Sequence, residues 1–306
     1  MNVYRFIAAE KTVGSALPIR FICERLGVSP SGYYAWLTRP ACQRVTADEA
    51  LTATIQEIHA TSRGTYGAPR VHAELTDPEG SYQVPCGRHR VARLMRQAGV
   101  VGCHRRRARR TTLADPVATP ATDLVNRAFA PAMIAGPNRL WAADITYVRT
   151  WEGWLYLAVI LDCFSRRVIG WAMADHLRTE LVLDALGMAV WQRRPSAGAG
   201  VVHHSDHGCQ YSSLAFGRQL RDSGLLPSMG SVGDAYDNAV AESFFATLKC
   251  ELLYRRSWPR REDARRALFD FIEAWYNRRR RHSTLAYHSP HSYEEAHRTQ
   301  HTSLTA

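Results

Sequence analysis

Three consecutive apolar segments in the second half of the chain constrain the fold more than any other feature of the sequence. They are short, they are separated by polar turns, and they lie at Ala142–Arg149, Leu155–Leu161 and Arg167–Met173. Segments of this length and spacing predict three neighbouring β-strands. Helical and strand patterns then alternate, at Leu177–Gln192, Val201–His204, 212–223 and Leu225–Met229. The order predicts an α/β domain with a mixed sheet.

The beginning of the chain shows a helical pattern instead. An amphipathic segment ends at Gly27, and a second helix start follows at Ser29. A helix, a tight turn and a second helix are typical of a helix-turn-helix unit, which we place within residues 1–40.

A second helical unit is predicted over residues 46–110. Thr46 and Glu49 have the spacing of a capping box at its start. One helical face then carries the apolar residues Leu51, Ile55 and Ile58. The unit is followed at 111–137 by a stretch rich in Ala, Thr and Pro, which is typical of an interdomain linker. A catalytic domain is then predicted over residues 138–300.

Arginine is concentrated at the end of this helical unit. A predicted helix buries one apolar side and presents four arginines on the other, Arg88, Arg90, Arg93 and Arg96. Three more follow at Arg105, Arg106 and Arg107. The chain has a net charge of +11, which favours a polyanionic partner such as nucleic acid. The face is interpreted as a DNA-binding surface, and a solvated basic face is the alternative.

Three carboxylates stand at positions that suggest chemistry. Asp144 lies inside the first predicted strand, Asp206 follows the fourth, and Glu242 lies on a later helix. A carboxylate in a strand is costly unless it is paired or binds a cation. Acids that converge at the carboxyl ends of neighbouring strands suit Mg²⁺, with Mn²⁺ as a substitute, and two ions at one site can activate a phosphodiester. We therefore predict that Asp144, Asp206 and Glu242 are catalytic metal ligands.

The helix of Glu242 carries two further polar candidates. Asn238 and Lys249 are offset from Glu242 by four and seven residues, which places all three along one helical face. Such a face would direct Glu242 and Lys249 at one phosphate backbone, so Asn238 and Lys249 are predicted to bind DNA. A solvated surface pair is the alternative.

Three other groups of residues carry side chains that could take part in chemistry. Asp162 ends the second strand and is interpreted as a turn or cap acid rather than a ligand. The spacing of His203, His204, His207 and Cys209 does not match a closed zinc site, and these residues are placed at the rim around Asp206. The mixture of aromatic and basic residues at Trp275, Tyr276 and 278–281 fits either a DNA-end channel or a helix docked on the core.

The motifs around the three acids resemble those of a known enzyme family. Asp206 and Glu242 are separated by 35 residues, which resembles the D,D(35)E signature of retroviral integrases and related transposases. Four motifs in order resemble OrfB-type transposases of the insertion-sequence-three family, at Trp141–Tyr147, His204–Tyr211, Asp237–Lys249 and Tyr276–Pro290. The resemblance covers nearly the whole chain.

This resemblance implies a ribonuclease H-like integrase core behind an N-terminal all-α, helix-turn-helix DNA-binding region. It implies a Mg²⁺-dependent polynucleotidyl transferase that cleaves element ends and joins the 3′-hydroxyl to a second DNA site, with Lys249 on donor DNA. We expect double-stranded DNA as the partner, both terminal inverted repeats and target, and a homo-oligomer on that DNA. Members are often fused to the product of an upstream reading frame.

Two other functions fit the same residues. A ribonuclease H-like nuclease would cut DNA without joining it, and a non-enzymatic DNA-binding regulator would use the helical region alone. The intact acids argue against the regulator. The chain has no apolar run of membrane-spanning length, no signal-peptide pattern at its start and seven scattered cysteines without a CxxC pair. We therefore expect a bacterial cytoplasmic protein at the nucleoid and no membrane partner.

Overall fold

A computed structural model of the chain describes residues 3–14, 16–40, 42–104, 134–196, 198–206, 210–229 and 238–305. Contacts between residues divide the chain into two compact units, Met1–Glu57 and Ile58–Ala306. The predicted DNA-binding residues Arg105, Arg106 and Arg107 and most of the predicted linker lie outside the described residues. The predicted domain boundaries stay predictions.

The first unit contains three short helices and the beginning of a longer one. They are α1 (Val3–Thr12), α2 (Ile19–Arg25), α3 (Pro30–Thr38) and α4 (Gln43–Thr61). Ile7, Ile22, Cys23 and Tyr33 form a small core. The Ser29 hydroxyl caps α3 by accepting a hydrogen bond from the Gly32 amide at 3.3 Å, which confirms the predicted helix-turn-helix order. The sequence patterns had not indicated α1.

The predicted capping box at Thr46 is wrong. The Thr46 amide donates to the Cys42 carbonyl at 3.2 Å, so Thr46 already lies inside α4, which begins at Gln43. The helix starts earlier because the backbone of Cys42 accepts its first hydrogen bonds. The apolar face was predicted correctly, since it consists of the buried residues Leu51, Ile55 and Ile58.

The second unit begins with two short helices that pack on each other, α5 (Ala68–Thr76) and α6 (Arg88–Gln97). A proline in the first turn of α5 fits the helix start, because its missing amide would have no partner there. Both helices are strongly amphipathic, and their buried residues are Val71, Leu75, Val91, Leu94 and Met95.

A five-stranded mixed sheet forms the centre of this unit. Its strands are β1 (Leu140–Thr150), β2 (Gly153–Asp162), β3 (Val168–Ala174), β4 (Val202–Ser205) and β5 (Leu226–Met229). They are ordered β3-β2-β1-β4-β5. Strands β1 to β3 are antiparallel, whereas β4 and β5 run parallel to β1. The three consecutive strands, the alternation that follows and the mixed sheet confirm the predicted α/β class.

Two helices cover one face of the sheet, α7 (Thr179–Arg193) and α8 (Leu214–Asp222). Their apolar sides pack with Trp141, Ala143 and Ile160 of the sheet in one buried cluster. Helix α7 lies very close to β3, because a Cβ added to Gly170 would come within 2.3 Å of the Ala185 carbonyl oxygen. Each large side chain buried here contributes on the order of 2 kcal/mol, so this face stabilises the strands on which the site is built.

The C-terminal segment consists of helices and single turns. In order they are α9 (Ala239–Glu251), a 3₁₀ turn (Leu253–Arg255), α10 (Arg261–Phe269), a π-helical turn (Asp270–Tyr276), a second 3₁₀ turn (Ser283–Leu285) and α11 (Pro290–Thr305). The side chain of Asn277 attaches this segment to β3. Its oxygen accepts a hydrogen bond from the Val168 backbone N–H and its nitrogen donates one to the Val168 carbonyl, both at 2.9 Å. No described helix is both long and apolar enough to cross a membrane.

Helix α11 is held by a buried ion network. The Glu294 carboxylate accepts hydrogen bonds from Ser165 at 2.6 Å, Arg167 at 2.9 Å and Arg193 at 3.1 Å. Burial alone would raise the pKa of Glu294, but the hydrogen bonds and positive charge of its partners lower it overall. The carboxylate is therefore stabilised in its ionised form.

Replacing Glu294 with glutamine should lower the free energy of unfolding by about 3 kcal/mol at pH 7, because two arginines lose a buried counter-charge. A group with a lowered folded pKa stabilises the fold above its unfolded pKa. This difference should therefore shrink as the pH falls below about 4. Urea unfolding at pH 7 and pH 3 measures both effects. Glu295→Gln is the matched control, since its side chain is 54% exposed, and an equal loss in both variants would contradict the network's role.

Candidate active site

Two of the predicted acids are brought together by the sheet register. Ala143 of β1 pairs with Ser205 of β4 in parallel, so Asp144 and Asp206 occupy the next register position at the carboxyl end of β4. Neighbouring strands lie about 4.8 Å apart, which makes these two residues immediate neighbours. Asp144 is half-buried and Asp206 is exposed.

The third acid is brought to the same edge by α9. Asn238 precedes this helix, and its side-chain nitrogen donates to the Ala143 carbonyl at 2.8 Å. Glu242 lies in the first turn of α9, so the helix starts beside the strand position that precedes Asp144. The bond commits the Asn238 nitrogen to the protein's own backbone, and a DNA contact by Asn238 stays a prediction.

The charges of this cluster act on one another. Burial is the largest cause that raises the pKa of Asp144, to about 7, and the negative charges of Asp206 and Glu242 raise it further. The Ile145 amide, which donates to Asp144 at 2.7 Å, and the positive charge of Lys249 act in the opposite direction. Asp206, Glu242 and Lys249 therefore all lie near enough to Asp144 to influence its charge, and their roles as metal ligands and as a DNA contact stay predictions.

The donor atoms of this site suit a hard divalent cation. Carboxylate oxygens are the preferred ligands of Mg²⁺ and Mn²⁺, and a cation would relieve the repulsion that raises the pKa of Asp144. Within the described residues, no three side chains of His, Cys, Asp or Glu form a group that could hold a metal ion. The sheet therefore makes Asp144 and Asp206 neighbours, and Glu242 lies near enough for its charge to act on Asp144, without a closed three-ligand cage.

The histidines before Asp206 do not line an open rim. His203 and His204 are each 1% exposed, because β4 is an inner strand. His203 packs against the rings of Tyr211 and Phe216, and burial lowers its pKa to about 4. The His204 ring lies 3.0 Å from the Ser228 hydroxyl. The placement at the rim is thus wrong for both, while His207 and Cys209 lie outside the described residues.

Asp162 has the structural role that was predicted for it. Its carboxylate accepts hydrogen bonds from the amides of Asn138, Phe164 and Ser165 at 2.7, 2.9 and 3.3 Å. Burial raises the pKa of Asp162 to about 6. It closes the turn after β2 and confirms the interpretation as a turn acid.

The aromatic and basic segment near residue 280 is largely docked on the core. Trp275 and Tyr276 are 4% and 3% exposed. Arg280 and Arg281 form ion pairs with acids of the protein, whereas Arg278 and Arg279 are exposed. The alternative of a helix docked on the core is therefore correct for Trp275 and Tyr276 and for two of the four arginines, Arg280 and Arg281. The acids that pair with them, Glu74, Asp77 and Glu251, had no recognisable signal in the sequence.

The arginine face of α6 has the predicted orientation. Arg88 and Arg96 are exposed, Arg90 and Arg93 are half-buried, and the opposite side is apolar and buried. Arg88 and Arg96 present positive charge to solvent, and DNA binding by these four residues stays a prediction.

Comparison with known proteins identifies the family. Residues 135–235 and 223–290 match two models described as integrase core domain, and residues 46–108 match one described as HTH-like domain. The putative transposase for insertion sequence element IS986/IS6110 of Mycobacterium tuberculosis is 40% identical over 257 residues, covering 83% of this chain and 90% of that protein. The chain belongs to the IS3 family of insertion-sequence transposases. The transposase InsF for insertion sequence IS3A of Escherichia coli is 38% identical over 286 residues, covering 90% of this chain and 93% of its own length.

The family models and the sheet order assign the fold of this transposase to the ribonuclease H-like integrase class. Among solved structures, the catalytic domain of Mos1 mariner transposase aligns with a TM-score of 0.40 and 14% identity, over 52% of this chain and 74% of that one. The HTLV-2 integrase catalytic core domain in complex with magnesium gives a TM-score of 0.40 and 16% identity, over 52% and 98%.

Replacing Asp144 with asparagine should stabilise the transposase in EDTA at neutral pH. Because the pKa of Asp144 is raised from 3.8 to about 7, the folded protein retains a proton that the unfolded chain releases. The stabilising effect of this group is complete below about pH 4 and is lost progressively as the pH rises to 7. Thermal unfolding from pH 4 to pH 8 should show a Tm difference between variant and wild type that widens and then levels off. Asp184→Asn, at an exposed acid on α7, is the control, and a Tm difference independent of pH would contradict the raised pKa.

Proposed function

We propose that this transposase cleaves the ends of its insertion element and joins the freed 3′-hydroxyl to a second DNA site by two-metal phosphoryl transfer. The observation that supports it best is the β1–β4 register, which makes Asp144 and Asp206 neighbours, together with the influence of Asp206, Glu242 and Lys249 on the pKa of Asp144. Catalysis would consist of positioning and charge neutralisation, without a covalent enzyme intermediate.

The three acids would hold two Mg²⁺ ions, with Mn²⁺ as a substitute. When bound, such ions supply Lewis-acid stabilisation of the attacking and leaving oxygens of a phosphodiester. The protein's own contribution would be to keep the carboxylates in place for the ions. The Ile145 amide orients the carboxylate of Asp144 and favours its ionised form, and the Asn238 bond fixes the start of α9.

DNA is the proposed partner, as terminal inverted repeats and as target. Lys249 stands in the last turn of α9, about two turns beyond Glu242, where a phosphate next to the scissile one would lie within reach of its side chain. The exposed arginines of α6 would neutralise phosphates further along the duplex. We propose that the enzyme acts as a homo-oligomer on DNA and that the product of an upstream reading frame takes part.

Replacing Asp206 with asparagine should abolish Mg²⁺-dependent cleavage, by at least about a thousandfold, while DNA binding changes little. The amide keeps the size of the side chain and removes the charge that a cation needs. A strand-transfer assay with a pre-cleaved element end and a gel-shift assay on the same DNA measure the two properties. Asp222→Asn, at an exposed acid on α8, is the matched control.

The same assay separates the proposal from its rivals. Wild-type protein that cuts the end but never joins it would be a nuclease, and protein that binds the end without metal-dependent nicking would be a regulator. Cleavage retained in Asp206→Asn would remove this residue from the proposed ligand set.

Replacing Lys249 with alanine should weaken binding of the DNA end and slow both cleavage and joining, while metal affinity stays the same. One lost phosphate contact should reduce the salt slope of binding by about one unit. Lys249→Arg should restore much of the activity, because a point contact needs charge more than geometry. Arg266→Ala removes a charge from an exposed site on α10 and is the control. A Lys249→Ala protein with wild-type rates and salt slope would make Lys249 an ordinary surface residue.

A further inference from the structure

The C-terminal end of α9 is an unusual place for a carboxylate. Glu251 is the last residue of the helix and is only 7% exposed. The end of a helix carries a partial negative charge, and a buried carboxylate there is unfavourable unless cations face it. The last turn of α9, which also carries Lys249, therefore depends on the partners of Glu251.

Two arginines from different parts of the chain supply those partners. Arg280 donates from two nitrogens to the two oxygens of Glu251, at 2.8 and 2.7 Å, and is itself 4% exposed. Arg70 of α5 places a guanidinium nitrogen 3.7 Å from the same carboxylate. Because the Arg70 side chain is 24% exposed, its removal disturbs less packing than the removal of Arg280 would.

Additional contacts hold α5 against the C-terminal segment at this junction. The Tyr66 hydroxyl accepts from the Arg281 amide at 2.8 Å and donates to the Arg279 carbonyl at 3.2 Å. The Arg281 side chain pairs with Glu74 and, at 2.6 Å, with Asp77. Cys250, the neighbour of Glu251 in α9, lies with its Sγ 3.4 Å from the His104 carbonyl. The stretch from Tyr66 to His104, which contains both helices and is called the α5–α6 segment below, thus contacts the C-terminal segment at its start and the last turn of α9 at its end.

The catalytic helix is therefore anchored at both ends by different elements. The sheet holds its start through the bond between Asn238 and the Ala143 carbonyl. The α5–α6 segment and Arg280 hold its end through Glu251. Helix α6 packs on α5, α5 reaches Glu251 through Arg70, and Glu251 shares α9 with Glu242.

We propose that Glu251 is a positioning residue whose junction with Arg70 and Arg280 couples the α5–α6 segment to the placement of Glu242 and Lys249. The inference rests on the proposed function for its catalytic consequence, although the coupling itself is a property of the fold. Release of Arg70 would loosen the end of α9, so that Glu242 would be held less firmly near Asp144.

The test uses the full-length chain with the variants Arg70→Gln, Arg70→Lys and Glu251→Gln. Arg63→Gln is the matched control, because Arg63, just before the α5–α6 segment, also forms an ion pair with the C-terminal segment, to Asp270 at 2.8 Å, without contacting the Glu251 carboxylate. Hydrogen exchange of peptides that cover α9 is measured without metal and with Mg²⁺. The Mg²⁺ concentration for half-maximal nicking of supercoiled plasmid DNA is measured in parallel.

We expect Arg70→Gln and Glu251→Gln to speed exchange in α9 and to raise the Mg²⁺ requirement by about 3- to 10-fold. Arg70→Lys should restore both, since a 3.7 Å contact depends on charge rather than on paired hydrogen bonds. Arg63→Gln should change neither. If Glu251→Gln fails to fold, Arg70→Gln still decides the question.

An Arg70→Gln protein that matches Arg63→Gln in α9 exchange and in Mg²⁺ requirement would overturn the coupling. Failure of the proposed function has a different signature. Wild-type protein would then show no Mg²⁺-dependent nicking, while the exchange difference between the Arg70 and Arg63 variants would persist.

Discussion

The half-buried carboxylate of Asp144 is the constraint on which the rest of the core depends. Burial and two neighbouring acids raise its pKa to about 7, so the central strand carries a group that would be more stable protonated. The elements around such a group must be stable enough to keep it buried. The sheet provides that stability, because β1 is an inner strand with partners on both sides and α7 and α8 pack on one face.

The other two acids are positioned by different kinds of element, Asp206 by a strand and Glu242 by a helix. Asp206 follows β4 directly, and its position is determined by the sheet register. Glu242 is on a helix that lies against the sheet, so its distance from the aspartates depends on how that helix is anchored. Asn238 at one end and Glu251 at the other provide anchors of different kinds, a neutral hydrogen bond to a strand and a buried ion pair to a distant segment. The position of Glu242 should depend more on the ion pair than on the hydrogen bond, because breaking a buried pair costs more free energy than losing one neutral hydrogen bond.

Much of this site could be predicted from the sequence because its geometry is local. Strand periodicity located β1 and β4, parallel strands end at one edge, and the helical period placed Lys249 on the face of Glu242. The partners of Glu251 could not be predicted in this way. Arg278 and Arg280 are two residues apart in one arginine run, yet one is exposed and the other is buried. Arg280 is buried because it pairs with Glu251 at the end of α9, and this partner lies 29 residues earlier in the chain.

Contacts between residues distant in the sequence also limit how well the division of the chain into domains can be predicted. A proline-rich composition indicates a linker, but it does not indicate whether the segments on its two sides are mechanically separate. Here Tyr66 donates a hydrogen bond to Arg279, and Arg70 and Glu74 form ion pairs with Glu251 and Arg281. A fragment that began after the linker would leave Arg281 without Glu74 and Asp77, and buried or half-buried charges that lose their partners are strongly destabilising. The α5–α6 segment therefore has two roles that composition alone would assign to separate domains, since it presents arginines to solvent and completes the charge balance of the catalytic unit.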